Sequence, residues 1–394
     1  MTNIPEPVKG FRDITGYEAK VREWITEILI RNFRICGFEP AETPVIEQAE
    51  FVKGNNFQDE AVSDVFKLKD KGERELALRY EFTFQLKRLA NNKKLPYKRY
   101  QIGSVFRDEP ISANRYRQFT QCDVDVVGSS VKDEADVLAL ATKIFNELGI
   151  KTKIIINNRK LLNEIMESEK IKSSDKQQVI TEIDKLDKLP QKQVLANLKK
   201  YKAEKLLEIF NNPEEFFKKY KFYSEIEDLK KYCGYYGISV EFSPSLARGL
   251  SYYNSSIFEV KSNEMKETIS AGGSYLVNGI QSTGISFGLD RLSQLAKMKH
   301  LETGVVIISL GQDEKAISLV ETLRSKAILS EIWTGKGLSR ALEYANSYNM
   351  PYVIFIGDEE VKKNKVKLKN MITGEEELID EEKLVHELQI KKIN

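Results

Sequence analysis

Carboxylates and arginines, set at strand spacing, are the residues of this sequence most suited to chemistry. In Gln121-Cys122-Asp123-Val124-Asp125-Val126 polar side chains recur at every second position, which puts Gln121, Asp123 and Asp125 on one face of an extended strand. Leu78-Arg79-Tyr80-Glu81-Phe82-Thr83 has the same period, with Arg79, Glu81 and Thr83 on one side and Leu78, Tyr80 and Phe82 on the other. Two such strands offering carboxylates to one cavity would suit a cationic amine; a solvent-facing strand gives the same alternation. Arginines supply the opposite charge. Arg107, Arg115 and Arg117 bracket a loop in Phe106-Arg107-Asp108-Glu109 through Gln118-Phe119, Arg248 precedes Gly249, and Arg291 follows Gly288-Leu289-Asp290. Guanidinium forks donate paired hydrogen bonds and keep their charge, so they suit phosphate. Any one of them is as readily a surface ion-pair partner. The set carries meaning only if the fold brings it together.

Ala271-Gly272-Gly273-Ser274-Tyr275 and Gly284-Ile285-Ser286-Phe287-Gly288 are expected as small-residue turns that allow close backbone approach. Neither has the glycine spacing of a dinucleotide βαβ unit or of a Walker loop, so those nucleotide folds are disfavoured. Histidine is scarce. Only His300 and His386 occur, each expected at the surface, so a two-histidine metal site would need both, and serine–histidine or cysteine–histidine catalysis has almost no base. Cys36, Cys122 and Cys233 stand far apart, which rules out a CxxC zinc knuckle and argues against a disulfide scaffold. The residues alone indicate a pocket for an amine plus a phosphate in an antiparallel α+β fold.

The elements that must position this chemistry follow from pattern and composition. A chain of 394 residues, 41% hydrophobic and 30% charged, is long enough for two or three domains. No apolar run approaches a membrane span and the N-terminus shows no secretory pattern, so a cytoplasmic protein with no membrane partner is expected. The net charge of +2 argues for nothing by itself, although residues 151–235 carry 19 Lys/Arg against 14 Asp/Glu. A long amphipathic helix is expected from Tyr17 to Cys36, with Val21, Trp24, Ile28 and Ile35 near one face and Gly37 as its stop. The stretch through Phe38, Thr43 and Val45, interrupted by Pro40 and Pro44, belongs at a sheet margin. Antiparallel strands are expected between Val65 and Val127. A charged helical stretch runs from Leu161 to Tyr232, and strands resume at Ile238–Phe242 and Ile257–Val260. After His300, strand and helix alternate through Gly304–Leu310, 312–327 and Tyr352–Gly357, as in a compact α/β domain.

At these residues the sequence resembles the class II aminoacyl-tRNA synthetases and, among them, the histidyl-tRNA synthetase family. The resemblance runs over nearly the whole chain. Lys9-Gly10-Phe11-Arg12-Asp13 is similar to the family's opening, and the first helix with Gly37-Phe38 and Thr43-Pro44 is similar to motif 1, which builds the dimer interface of that class. Phe106 to Glu109 with Arg115-Tyr116-Arg117-Gln118-Phe119 resembles motif 2, and Gly284 to Arg291 resembles motif 3. Two segments are more specific. Ala247-Arg248-Gly249-Leu250-Ser251-Tyr252-Tyr253 resembles the first histidine signature, and Ala271 to Tyr275 the second. Ser251 stands where the family has aspartate, Ser274 where it has arginine, and Leu276 where it has aspartate.

The resemblance implies a class II antiparallel sheet with flanking helices at 1–160 and 236–300. It also implies an inserted helical domain at 161–235 and an α/β anticodon-binding domain at 303–394. By position, Glu81 and Thr83 would hold the α-amino group of L-histidine with Gln121 nearby. Asp125 would accept from the imidazole, and Tyr253 and Tyr275 would complete that pocket. Glu109 would face adenine, Arg107 the α-phosphate, Arg115 and Arg291 the outer phosphates, and Arg248 the α-phosphate during attack. The implied substrates are histidine, ATP with Mg2+ and histidine tRNA, with no permanent cofactor, no protein metal site and a homodimer. Lys363, Lys365, Lys367 and Lys369 could meet phosphates, or could form a solvated basic edge strand. The alternative is a histidine-binding regulatory paralogue without ligase activity. In that reading Ser274 and Leu276 mark a loosened pocket; otherwise they mark the loss of one mutual ion pair.

Overall fold

The computed structural model describes residues 5–53, 64–112, 115–187, 189–248, 252–298 and 304–393. Gly249, Leu250, Ser251 and His300 fall outside the described residues. Two compact units are present, the first ending at Lys297 and the second beginning at Met298.

The first helix, Gly16–Ile35, buries Val21, Ile25, Ile28, Leu29 and Phe33 along one stripe, because apolar residues three and four apart share a helix face. Trp24 is half-buried at its margin. Ile35 departs from the expectation: as the last helical residue it lies past the buried stripe and is exposed. Gly37, at φ 79°, adopts the left-handed conformation that stops the helix. The chain then enters β1 (Glu39–Pro40), the margin of the main sheet, where it runs parallel to β5 (Tyr97–Phe106).

Next, β2 (Ile46–Gln48), β3 (Lys67–Lys69) and β4 (Glu75–Leu78) form a small sheet of order β2-β4-β3. The strand expected over Leu78–Thr83 is corrected here. β4 stops at Leu78, and Arg79, Tyr80, Glu81 and Phe82 are all buried in a non-strand segment. Arg79 is drawn inward because its guanidinium donates to the carbonyls of Thr43 at 2.8 Å and Ser104 at 2.7 Å. With no solvent side, the polar alternation reports no strand. The segment runs into the short helix Leu86–Leu89, which Arg88 ties to Glu47 at 2.8 Å.

The main sheet is completed by β6 (Gln118–Val127), β7 (Thr152–Asn158), β8 (Glu241–Phe242), β9 (Tyr253–Ser262), β10 (Met265–Val277) and β11 (Ile280–Gly288). Its order is β1-β5-β6-β11-β10-β9-β7-β8. Every pairing from β5 across to β7 is antiparallel, and the two outermost pairings are parallel. Period two gives this sheet two faces. Tyr100, Cys122, Val124 and Phe287 point to one side, where Phe287 meets Phe33 of the first helix at 5.9 Å and Phe145 of helix Val131–Glu147 at 5.7 Å between ring centroids. Each such buried ring contributes about 2–3 kcal/mol by leaving water. A Ser130–Asp133 capping box starts that second helix. The opposite face carries the polar residues.

Ala271–Tyr275 and Gly284–Gly288, expected as turns, lie inside β10 and β11 and pair with each other, Ala271 opposite Ser286 and Gly273 opposite Gly284. This corrects the turn expectation. The glycines serve close approach between neighbours: a Cβ on Gly284 would strike the Asp125 carboxylate, and one on Gly272 would strike the Gly284 carbonyl.

Helices Arg159–Ser168, Lys176–Ile183, Gln191–Lys199, Lys205–Phe210 and Tyr223–Tyr235 fill the charged stretch after β7 and belong to the same compact unit as the sheet.

The second unit is a five-stranded sheet of β12 (Val305–Ser309), β13 (Ser330–Ile332), β14 (Tyr352–Ile356), β15 (Lys365–Asn370) and β16 (Glu376–Asp380), ordered β13-β12-β14-β15-β16. β13, β12 and β14 are parallel, and the near-continuous burial of β12 and β14 matches their unbroken apolar runs in the sequence. Helices Asp313–Ser325 and Glu381–Ile393 cover one core and Leu338–Ser347 the other. His386 is exposed on the last helix. The basic edge strand is corrected: β15 lies between β14 and β16, and Lys363 lies before it. Lys365 pairs with Asp380 at 3.4 Å and Lys369 with Glu376 at 2.8 Å. Among the described residues no helix is long and apolar enough to cross a membrane.

Candidate active site

Register builds the amino-acid end of the site. Across β5, β6 and β11, Arg99 stands opposite Asp125 and Asp125 opposite Gly284. The next row is Gln101, Asp123 and Ser286, and the third is Gly103, Gln121 and Gly288. Asp125 is 3% and Asp123 4% exposed, which removes the solvent-facing reading of this strand. Gln121 donates to the Ser286 hydroxyl at 2.8 Å and, more weakly, to Asp123 at 3.3 Å. Arg99 meets Asp125 Oδ2 at 2.8 Å, and the Tyr275 hydroxyl donates to Asp125 Oδ1.

Above this row, Tyr252 donates to Glu81 Oε2 at 3.2 Å and packs against Tyr253 and Tyr275, with ring centroids 4.7 and 5.6 Å away. Glu81 Oε1 and Gln121 Oε1 are buried acceptors with no hydrogen-bond partner, an arrangement that a ligand bringing N–H donors would complete. Thr83 follows in the same segment, half-buried, its carbonyl accepting from the Leu86 amide.

Burial dominates the electrostatics here. It pushes Glu81 up to about 8, helped by Asp123, with Arg107 pulling back. It likewise lifts Asp123 to about 7, helped by Asp125. Asp125 is raised by burial, while Arg99 and then the Tyr275 hydroxyl hold it down. The ordinary values are 4.5 for Glu81 and 3.8 for Asp123. Between those and the raised values the folded chain binds more protons than the unfolded one, so stability is fully present below them and is lost as pH rises through the folded values. Melting of the ligand-free protein is therefore expected at progressively lower temperature from about pH 5 to pH 8, with a shallower slope in Glu81→Gln. A melting temperature that climbs across this window would contradict the assignment.

The cations come from four separate places and converge. Arg107, at the end of β5, lies 4.2 Å from the Tyr80 ring centroid and 5.0 Å from that of Phe119. Glu109 binds Arg115 at 3.0 Å and lies 3.8 Å from Arg107. Arg248 donates to Glu259 at 2.9 Å, and Glu259 accepts from Thr268 at 2.8 Å. Arg291 donates to the Thr268 carbonyl at 2.5 Å. Arg291 is held below the usual guanidinium range by burial and by the charges of Arg115, Arg107 and Arg248, against an opposing pull from Glu267. Four guanidinium groups that repel one another make a seat for a polyanion. The seat adjoins the tyrosines, since the Arg248 guanidinium is 6.0 Å from the Tyr253 ring centroid. Arg117 does not join this set and instead pairs with Asp108 at 3.1 Å.

A full-length match decides the family. Residues 10–292 match the family model for histidyl-tRNA synthetase, and residues 304–391 match that for an anticodon binding domain. The chain belongs to the histidyl-tRNA synthetase family. Histidine–tRNA ligase 1 of Bacillus cereus is 35% identical, with 94% of this chain and 96% of the relative covered. Histidine–tRNA ligase of Clostridium acetobutylicum is 30% identical over 96% of this chain and 99% of its own length. In fold, the chain is similar to the crystal structure of histidyl-tRNA synthetase from Nostoc sp. PCC 7120, with a TM-score of 0.85, 24% identity, and 99% and 100% of the two chains covered. It is also similar to a structure described as an ATP phosphoribosyltransferase regulatory subunit/histidyl-tRNA synthetase from Bacillus halodurans. That likeness has a TM-score of 0.75 and 20% identity, over 88% of this chain and 97% of the other. The fold class is thus that of class II synthetases, and the regulatory-paralogue alternative is not favoured.

Within the histidyl-tRNA synthetase frame, the departures at Ser274 and Leu276 fall away from the pocket. Tyr275 reaches Asp125, whereas its neighbour Ser274 points to the other face of β10 and donates to Glu134 of helix Val131–Glu147; Leu276 is half exposed. Several site residues escaped the sequence reading. Arg99, Ser286, Glu259 and Thr268 take part through cross-strand partners and Tyr252 through Glu81 far along the chain, which one sequence does not display. Asp290 is another. It accepts from Arg22 at 2.9 Å and from the Thr120 amide at 2.8 Å, so it clamps the residue before Arg291 to the first helix and to the residue before Gln121. Asp290→Ala leaves Arg22 its bond to the Thr120 hydroxyl but no carboxylate, and is expected to cost about 3 kcal/mol, read as a lower urea midpoint. An unchanged midpoint would remove the clamp.

Proposed function

We propose that this chain is a histidine–tRNA ligase that activates L-histidine with ATP and then charges histidine tRNA. The observation that carries the residue roles is the convergence of Arg107, Arg115, Arg248 and Arg291 beside a buried pocket of Glu81, Gln121, Asp125, Tyr253 and Tyr275.

Glu81, with its unfilled acceptor, binds the α-ammonium of histidine together with Thr83 and Gln121. Asp125 accepts from the imidazole N–H, while Tyr253 and Tyr275 enclose the ring. The histidine carboxylate then attacks the α-phosphorus of ATP, pyrophosphate leaves, and histidyl-adenylate remains. Arg107 and Arg248 meet the charge that grows on the α-phosphate oxygens, Arg115 and Arg291 hold the outer phosphates, and Glu109 accepts from the adenine amino group. In the second step a ribose hydroxyl of the tRNA's terminal adenosine takes the histidyl group and AMP leaves. Positioning and fixed charge supply the catalysis, so no enzyme histidine is required. Magnesium arrives on the nucleotide as part of the substrate. Among the described residues no three His, Cys, Asp or Glu side chains are grouped to hold a metal.

The helical stretch 161–235 is read as an insertion in the catalytic domain 1–160 and 236–300 that leans on the tRNA acceptor arm. Residues 303–394 are read as the anticodon-binding domain. The first helix and β1 build a homodimer in the manner of motif 1, and the enzyme works in the cytoplasm. ATP–pyrophosphate exchange with each of the twenty amino acids tests the core of this reading. Exchange with histidine alone supports it, and histidine binding without exchange overturns it.

A further inference from the structure

Among the described residues Arg99 is the one large cation with no exposure at all, and the roles proposed above leave it unused. It stands on β5 directly opposite Asp125 on β6. Its Nη2 lies 2.8 Å from Asp125 Oδ2 and donates to the Phe82 carbonyl at 2.9 Å, while Nε and Nη1 have no hydrogen-bond partner. A buried guanidinium with more than half of its donors unused is an expensive way to stabilise a fold. Its position makes sense for recognition. Phe82 lies between Glu81 and Thr83, so one group touches both the segment proposed for the ammonium and the carboxylate proposed for the ring.

We propose that Arg99 is a positioning residue for histidine selection: its ion pair keeps Asp125 ionised and fixed, so that the ring pocket accepts an N–H donor and rejects rings without one. The inference rests on the histidine pocket proposed above. A buried carboxylate that stays charged pays heavily when a ligand offers no donor, whereas a protonated one pays little. Burial raises Asp125 and Arg99 opposes that rise, in keeping with the geometry.

The test uses the full-length protein in ATP–pyrophosphate exchange, with β-(2-thienyl)alanine as a competitor whose aromatic ring resembles imidazole in shape and has no N–H. In Arg99→Met, KM for histidine is expected to rise about tenfold or more while KM for ATP stays near native, and the ratio of thienylalanine Ki to histidine KM is expected to fall by about tenfold. Arg99→Lys should keep most of that ratio. An unchanged ratio in R99M, or a parallel loss toward ATP and histidine, overturns the proposal and leaves Arg99 a structural residue. Should R99M fail to fold, the double variant R99M/D125N, which removes both members of the ion pair, is compared with D125N. Equal histidine KM values support action through Asp125, and a further tenfold loss overturns it. Absence of histidine exchange in the native protein would instead sink the reading of the pocket, and is seen before any variant is made.

Discussion

Replacing Arg248 by alanine is expected to slow histidyl-adenylate formation about a thousandfold while histidine binding stays within about threefold of native. Two observations set this apart from a general loss of structure. The guanidinium hydrogen-bonds Glu259 and touches the proposed histidine pocket only at its edge, 6.0 Å from the Tyr253 ring centroid, while Glu81 and Asp125 are held by other partners. Glu259 also keeps its bond from Thr268 and its proximity to Lys261 at 3.6 Å, so no buried carboxylate is stranded. In the proposed mechanism, what disappears is a fixed positive charge where negative charge builds during attack, an interaction worth more in the transition state than in the ground state. Exchange kinetics against equilibrium dialysis with histidine separates the two quantities. Equal losses in both would remove Arg248 from the chemical step.

The second large effect belongs to Asp125. Asp125→Asn is expected to lower kcat/KM for histidine by about a hundredfold to a thousandfold, chiefly through KM, with KM for ATP little changed. In the proposed pocket the carboxylate is the acceptor at the ring end, and an amide in its place turns an N–H group toward either the substrate or Arg99. It also leaves Arg99 buried without a countercharge, so a drop in melting temperature should accompany the kinetic loss. Histidine titration of the variant by calorimetry, alongside exchange assays, checks both. A native KM for histidine in D125N would place the ring elsewhere.

Much of the frame is legible in the sequence, and the exceptions have a common cause. The first helix, the buried strands β12 and β14 and the polar face of β6 follow from spacing, because in each case one periodic face meets one environment. The segment after Leu78 misled because Arg79 and Glu81 are buried with their own partners, and alternation carries no information once both sides are covered. The glycine runs point equally to turns, because close strand approach and chain reversal ask for the same residue. Their pairing with each other is a long-range fact. Arg99 stayed hidden for the same reason. Its meaning lies in Asp125 across the ladder, and register between strands is not written in either strand alone. The candidate phosphate-binding arginines were visible one by one, and family resemblance supplied the roles, but only the folded sheet shows Arg107, Arg115, Arg248 and Arg291 acting on one another.

The strand order has a consequence for synthesis. β6 is flanked by β5, made before it, and by β11, made much later, and Arg248 and Arg291 arrive on either side of the β9-β10-β11 meander. A nascent chain that has delivered β6 already carries Asp123 and Asp125 but has no neighbour on their far side and lacks half of its cations. The proposed phosphate seat closes only after residue 291 has left the ribosome. On the roles proposed for the arginines, truncated products ending earlier are expected to be inert toward ATP however much helix they form, so that nucleotide turnover would count only chains made through Arg291.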